Sequence, residues 1–317
     1  MSSIIIKQEK IPENHFKVGP LFYAMDWLPV IRVTIALAVL CLASYSDWRT
    51  RMASDMYWIA MGLVGLALLA WQIFDSGNDP LYLLFVFVVG WFFIDLLWDR
   101  EGLEGTFWKL LPMAMYAILL VCMGVLIWKF GGKAYLYELI SIPAMFLLYF
   151  LLYLFDVIKG GADAKALMAL SLLIPTYPII GPFPLIGLPT YEAQFIMPFS
   201  LLVLFYGALL TLAIPIYYLF YNLVKGDRAF PTMLFGIRMD VADAKKRFVW
   251  PMEYVDGEEI KVSSMPKGPE SLEEHYAQLE AKGLQRIWVT PKIPMLIPIT
   301  AGIVLAAILG NLIFIIF

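Results

Sequence analysis

The stretch LPVIRVTIALAVLCLASYS, residues 28–46, is almost wholly apolar and runs straight into Asp47-Trp48-Arg49-Thr50-Arg51. About 20 such residues, rising about 1.5 Å each, cross the roughly 30 Å of hydrocarbon in a bilayer. The segment therefore reads as a membrane-spanning helix with a basic cluster at its end. Seven further stretches read the same way: 56–74, 81–98, 107–128, 138–156, 164–181, 195–222 and 293–316. The sixth carries Pro175 and Pro178, with Pro182 and Pro184 just beyond, and these prolines would kink it or end it early.

Composition agrees. The chain is 61% hydrophobic and 15% charged, with a mean hydropathy of +0.77. Soluble domains sit near half apolar and a quarter charged, so lipid is the main solvent here. The fold class that follows is all-α: a polytopic membrane protein of about eight transmembrane helices with one cytoplasmic loop subdomain. The expected division is a membrane domain over 1–222 with seven helices, a soluble loop over 223–292, and a last helix over 293–317. The loop holds Asp240, Lys245, Lys246, Arg247, Asp256, Glu258, Glu259 and Glu273. It is long for a simple turn and short for an independent domain.

Several function classes drop out. The formal net charge is -3 and no basic face is concentrated, so nucleic acid is not an expected partner. Cys41 and Cys122 both lie in apolar runs, which excludes a disulfide framework and a four-cysteine zinc site. His15 and His275 are isolated, no HExxH occurs, and no metal or other cofactor is expected. Lys7, Glu9, Lys10 and Glu13 do not make the basic flank of a removable signal peptide.

Basic residues set the orientation. With the N-terminus outside, the inner loops carry Arg49, Arg51, Arg100, Lys109, Lys159 and the basic content of 223–292. The outer loops keep Lys129 and Lys133. Both chain ends then face outward.

Ionisable groups at membrane depth mark a function or a specific pair. The candidates are Asp47, Asp55, Asp95, Asp99, Asp156 and Asp163. Asp163 stands in Lys159-Gly160-Gly161-Ala162-Asp163-Ala164-Lys165, where the small residues allow close packing or a break in the helix. The same residues equally describe an interhelical turn followed by an N-cap aspartate. Asp47 on its own reads as the counter-ion of Arg49 and Arg51 beside the interfacial Trp48. Asp95 is its main rival for a catalytic role. Asp99 adjoins Arg100 as an interfacial pair, and Asp156 ends the fifth span.

The segments Asp47–Arg51 and Gly160–Lys165 together resemble the GxGD membrane aspartyl proteases, and within them the archaeal preflagellin and prepilin peptidases of the type IV pilus and archaellum systems. Leu234-Phe235-Gly236 through Arg247, Ile287–Pro294 and Pro298-Ile299-Thr300 resemble the loop and last helix of the preflagellin enzymes. The resemblance implies catalytic aspartates at Asp47 and Asp163, with Gly160, Gly161 and Ala162 as the motif and hinge. Arg49, Arg51 and Lys165 are expected to support them. It also implies an aspartic-type endopeptidase of the cell membrane, working at the cytoplasmic face on prepilin or preflagellin precursors embedded in lipid. Two departures stand out. Ala162 replaces the motif's second glycine, and eight spans exceed the six of the shorter enzymes, the excess falling at about 75–130. The tetracysteine loop of bacterial relatives is missing.

Two other functions use the same acids. A presenilin-like intramembrane protease would carry a Tyr-Asp pair in a span and a late Pro-Ala-Leu, and neither is found. A cation-coupled transporter could relay ions along Asp47, Asp95 and Asp163, with broken helices near Gly160 and the prolines. A relay needs carboxylates spread along a path, whereas a protease needs two that face each other. At rest the two acids are expected to be held apart, with Gly160-Gly161 as the hinge that closes them.

Overall fold

The computed structural model describes residues 27–97, 105–186, 191–264, 266 and 271–312. In the membrane part the helices are α1 Trp27–Thr50, α2 Asp55–Asp75, α3 Leu83–Leu97, α4 Thr106–Phe130, α5 Ala134–Leu154, α6 Gly161–Leu173, α7 Tyr191–Ile196, α8 Phe199–Thr211 and α9 Ala213–Lys225. The loop region follows as β1 Ile237–Asp240, α10 Val241–Ala244, β2 Val249–Pro251, β3 Glu253–Asp256, β4 Glu259–Val262, α11 Leu272–Ala281 and β5 Arg286–Pro291. Helix α12, Leu296–Leu309, returns to the bundle.

Six helical stretches are long and apolar enough to cross a membrane: α1, α2, Pro80–Leu97, α4, α5 and the run Phe199–Lys225. The other two expected spans are short. Helix α12 has 14 residues. Helix α6 has 13 and ends at Leu173, two residues before Pro175. Ile174 there leaves helical geometry (φ -123, ψ 78), as a residue preceding proline is driven to do. The shortening is tolerated because protein surrounds the helix. Every side chain from Ala166 to Leu173 is buried, as are Ile174, Pro175, Tyr177 and Pro178 in the irregular chain beyond. Non-helical backbone at membrane depth survives only where protein or water covers it.

One apolar core joins α1, α2, α3, α5, α6, α8 and α12. Glycines set the closest approaches. A Cβ on Gly302 of α12 would stand 2.6 Å from the Val203 carbonyl oxygen of α8, and one on Gly65 of α2 would stand 3.0 Å from the Leu173 Cα of α6. Association in lipid relies on such close packing rather than on hydrophobic burial. Of the region expected as an insertion, α3 belongs to the core through Phe85, Val89 and Phe93. Helix α4 is peripheral, with Leu120, Val121 and Trp128 outward. Two polar clasps hold it: the Tyr116 hydroxyl donates to Asp95 (2.5 Å) and Lys129 to Asp79 (2.6 Å).

The all-α description holds for the membrane part, while the loop adds two small sheets. Strands run β1-β5-β2, all antiparallel, with Ile237 opposite Val289 and Val249 opposite Pro291. Strands β3 and β4 form a hairpin in which Gly257 takes φ 62 at the first turn position, a conformation open to glycine. Tyr276 and Leu279 of α11 pack with Val249, Ile287 and Val289, giving this segment a core of its own.

Gly302→Val is expected to push α8 and α12 apart and to destabilise the protein by about 1–3 kcal/mol. Gly124→Val, on a face of α4 with nothing within 4 Å, should leave it unchanged. Thermal unfolding of both variants in detergent checks the difference.

Candidate active site

Asp47 lies in the last turn of α1, partly exposed. Local hydroxyls fix that end. Thr50 Oγ1 donates to the Ser46 carbonyl (2.9 Å), and Ser46 Oγ donates to the Met52 carbonyl (3.0 Å). The Arg51 N–H closes the turn on the Asp47 carbonyl (2.9 Å), and Arg51 itself takes a left-handed φ of 57. The chain then reaches Ser54, which caps α2 by accepting the Met56 N–H. The Asp47 carboxyl faces the Leu296 amide, in the first turn of α12. The first N–H groups of a helix have no partner within it, so this amide is free to meet the carboxyl.

Asp163 lies in the first turn of α6 and is 9% exposed. Gly160 is the N-cap; its carbonyl accepts the N–H groups of Asp163 (3.1 Å) and Ala164 (3.2 Å). The carboxyl folds back over Gly160, where a Cβ would meet Oδ2 at 2.2 Å. A Cβ on Gly161 would meet only the Tyr153 ring, at 3.6 Å. Ala162 is an ordinary helical residue; the positive-φ positions nearby do not include it. The backbone at 162 therefore does not call for glycine, whereas a side chain at 160 would displace the Asp163 carboxyl.

Helix α1 packs on α6, and this brings Asp47 and Asp163 within electrostatic reach of each other. They are not joined by a hydrogen bond. The supporting basic residues divide. Arg51 acts on Asp47 and lies over the Phe248 ring of the loop region at 5.4 Å. Arg49 instead donates to the Tyr45 hydroxyl (3.0 Å) on its own helix. Lys165 holds both carboxyl oxygens of Asp55 at 2.8 Å and so pins the start of α6 to the start of α2. That pair is partly exposed and of modest strength.

The rival acids are elsewhere. Asp95 is engaged by Tyr116 between α3 and α4. Asp156 occupies a left-handed turn residue after α5 (φ 56), a conformation that aspartate tolerates. Asp99 and His15 lie outside the described residues. His275 Nε2 is bonded to the Glu253 carbonyl in the loop region (2.7 Å). Burial keeps the nearby Glu253 carboxyl above the usual carboxylate range. Among the described residues no three His, Cys, Asp or Glu side chains converge as a metal site. Sequence reasoning missed three partners around the site: the Leu296 amide for Asp47, Phe248 under Arg51, and Asp55 for Lys165. Only Asp55 carried a signal, as the first acid after the Ser54 cap.

The site thus holds two carboxyls from different helices, one partly wet and one nearly buried, at one end of a membrane bundle. Residues 228–312 match the profile of the Archaeal Peptidase A24 C-terminus Type II family. The chain is 26% identical over 289 residues to a preflagellin peptidase of Methanococcus voltae, covering 89% of this chain and 96% of that one. It is 27% identical to a preflagellin peptidase of Methanococcus maripaludis, over 48% of this chain and 64% of the relative. A third, from Methanocaldococcus jannaschii, is 26% identical over 56% of this chain and 74% of its own. These matches bear out the resemblance to archaeal preflagellin and prepilin peptidases.

Proximity of the acids is open to direct test. In a background without Cys41 and Cys122, Asp47→Cys with Asp163→Cys is expected to crosslink with a short bifunctional thiol reagent in membranes. Asp95→Cys with Asp163→Cys is expected not to. Mass spectrometry of the linked peptides reads both.

Proposed function

We propose that this protein is an aspartic-type endopeptidase of the cell membrane that removes the short leader of preflagellin- or prepilin-type precursors. The observation that carries this reading is that Asp47 of α1 and Asp163 of α6, far apart in sequence, lie within electrostatic reach at one end of the bundle. Preflagellin is named as the substrate of the three relatives, and the peptidase profile covers the loop region and helix α12.

Hydrolysis by two carboxyls needs one ionised and one protonated. The ionised group takes a proton from a water held between them, and the protonated group donates to the scissile carbonyl. Two acids at close quarters do not both ionise readily, so they share a proton and titrate as a pair. The surroundings divide the tasks. Asp47, with Arg51 and the Leu296 amide near it, is suited to carry the charge. Asp163, nearly buried, is suited to hold the proton. Closure of α6 on α1 about Gly160-Gly161 would bring the carboxyls to one water.

A cytoplasmic position for this end of the bundle is supported by the basic residues Arg49, Arg51 and Lys159 and by the basic content of the loop. A precursor whose charged leader stays in the cytoplasm, with its apolar segment in the bilayer, presents its cleavage point at that depth. A cation relay is less well supported, since Asp95, the intermediate station it would need, is bonded to Tyr116 at the peripheral helix.

Asp47→Asn and Asp163→Asn are each expected to lower precursor trimming in membranes by at least about 10²-fold, while leaving the protein inserted. Asp95→Asn and Asp156→Asn should keep most activity. Normal trimming by either of the first two rejects that residue.

Gly160→Ala is expected to displace the Asp163 carboxyl and to lower trimming about as severely as Asp163→Asn. Gly161→Ala and Ala162→Gly should stay close to the parent. The same assay, with expression matched by immunoblot, separates the three.

A further inference from the structure

The bundle encloses a second chemical site at the end away from the acids. A cavity of about 520 Å³ lies between the start of α5, the irregular chain after α6, helix α7 and the start of α8. Its wall is largely apolar and aromatic, with Tyr137, Phe195, Ile196, Pro198 and Phe199. Phe199 is fully buried, so the cavity reaches the core. Asp163 begins α6 and Pro175 lies just past its end, a separation of about 20 Å at about 1.5 Å per residue. This cavity is therefore no part of the acid pair.

One carboxyl is set in that wall, Glu138 on α5, half-buried. Three hydroxyls that line the cavity are spent elsewhere. Ser141 Oγ donates to the Glu138 backbone carbonyl rather than to its side chain (2.5 Å). The Tyr177 hydroxyl donates to the Met197 carbonyl (2.6 Å), and the Tyr137 hydroxyl to the Gly131 carbonyl (2.8 Å). Lys129 is held by Asp79. Among the described residues, no hydrogen-bond donor or ion-pair partner meets the Glu138 carboxyl. A carboxyl half withdrawn from water and without a protein partner keeps an attraction that a cation supplied from outside would satisfy. Aromatic faces such as Tyr137 and Phe195 add attraction for an ammonium group, and the volume falls in the range of small-molecule sites, about 300–1,000 Å³.

We propose that this cavity binds an amphiphilic amine, its ammonium group on Glu138 and its short apolar body against Tyr137, Phe195, Ile196 and Phe199. A neutral chain or an anion would leave Glu138 unpaired. The same chemistry is offered by a free amine and by the headgroup of an aminophospholipid. The site does not rest on the peptidase reading.

The test uses the full chain in nanodiscs and a diazirine-bearing decylamine beside the matching diazirine-bearing decanol. The amine is expected to label the 137–141 and 195–199 peptides about tenfold more than the alcohol, a difference of about 1.4 kcal/mol. Unlabelled decylamine should compete. Glu138→Gln should erase the preference while precursor trimming, which reports on folding and on the acid pair separately, stays intact. Ile196→Trp, which narrows the cavity and leaves Glu138 in place, should lower labelling by both probes. Nanodiscs with ethanolamine headgroups that suppress labelling, relative to glycerol headgroups, identify lipid as the source; equal labelling identifies a free amine. Equal labelling of the parent by amine and alcohol, or an unchanged preference in Glu138→Gln, overturns the proposal.

Discussion

A carboxyl group held almost out of water at the mouth of an apolar bundle is the constraint around which the membrane part is arranged. Asp163 is 9% exposed, and an ionisable group in such a place needs a fixed environment or a function. Its position in the first turn of α6 supplies part of the environment, since the helix start there is fixed by the Gly160 carbonyl accepting the Asp163 N–H. The carboxyl can fold back as it does only because residue 160 has no side chain. Lys165 and Asp55 link the same turn to α2 through a partly exposed ion pair. The partner acid arrives on α1, against the start of α12. Helices α1, α2 and α12 thus converge on one end of α6.

The shortness of α6 belongs to the same arrangement. A full span would carry the helix from one face of the bilayer to the other and leave no interior break. Here the helix stops at Leu173, and the proline-containing chain beyond it is roofed by α7 and α8. The irregular backbone lies inside protein, which is the condition for its survival at that depth. Gly65 of α2 meets the backbone at the end of α6, and Gly302 of α12 meets α8, so the scaffold around the short helix is packed tightly. The peripheral α4 shares little of this core.

Much of this was legible in the amino-acid sequence. Hydropathy located the long spans, because length and apolarity are what a bilayer selects. The prolines after residue 174 announced that the sixth helix would end early. The two aspartate segments were identifiable by resemblance, and Asp47 and Asp163 do stand near each other. What the sequence could not convey was long-range geometry. Nothing near residue 296 indicates that its amide faces Asp47, and nothing around Phe248 indicates a ring under Arg51. Arg49 and Arg51 look equivalent as counter-ions; the left-handed turn at Arg51 sends only that one towards the acid. The loop read as mixed charge without clear periodicity, because its strands span only 3 to 6 residues and their burial alternates weakly.

The account stands or falls on whether Asp47 and Asp163 act as one unit. The direct measurement is a double-mutant cycle on the binding of a precursor-derived peptide whose scissile bond is replaced by a hydroxyethylene group, a mimic of the hydrated carbonyl. Asp47→Asn, Asp163→Asn and the double variant are each titrated in detergent. The expected result is strong non-additivity, either single change removing nearly all the affinity that the pair provides. Additive losses, or a single variant that binds the mimic as tightly as the parent, would contradict a shared acid pair.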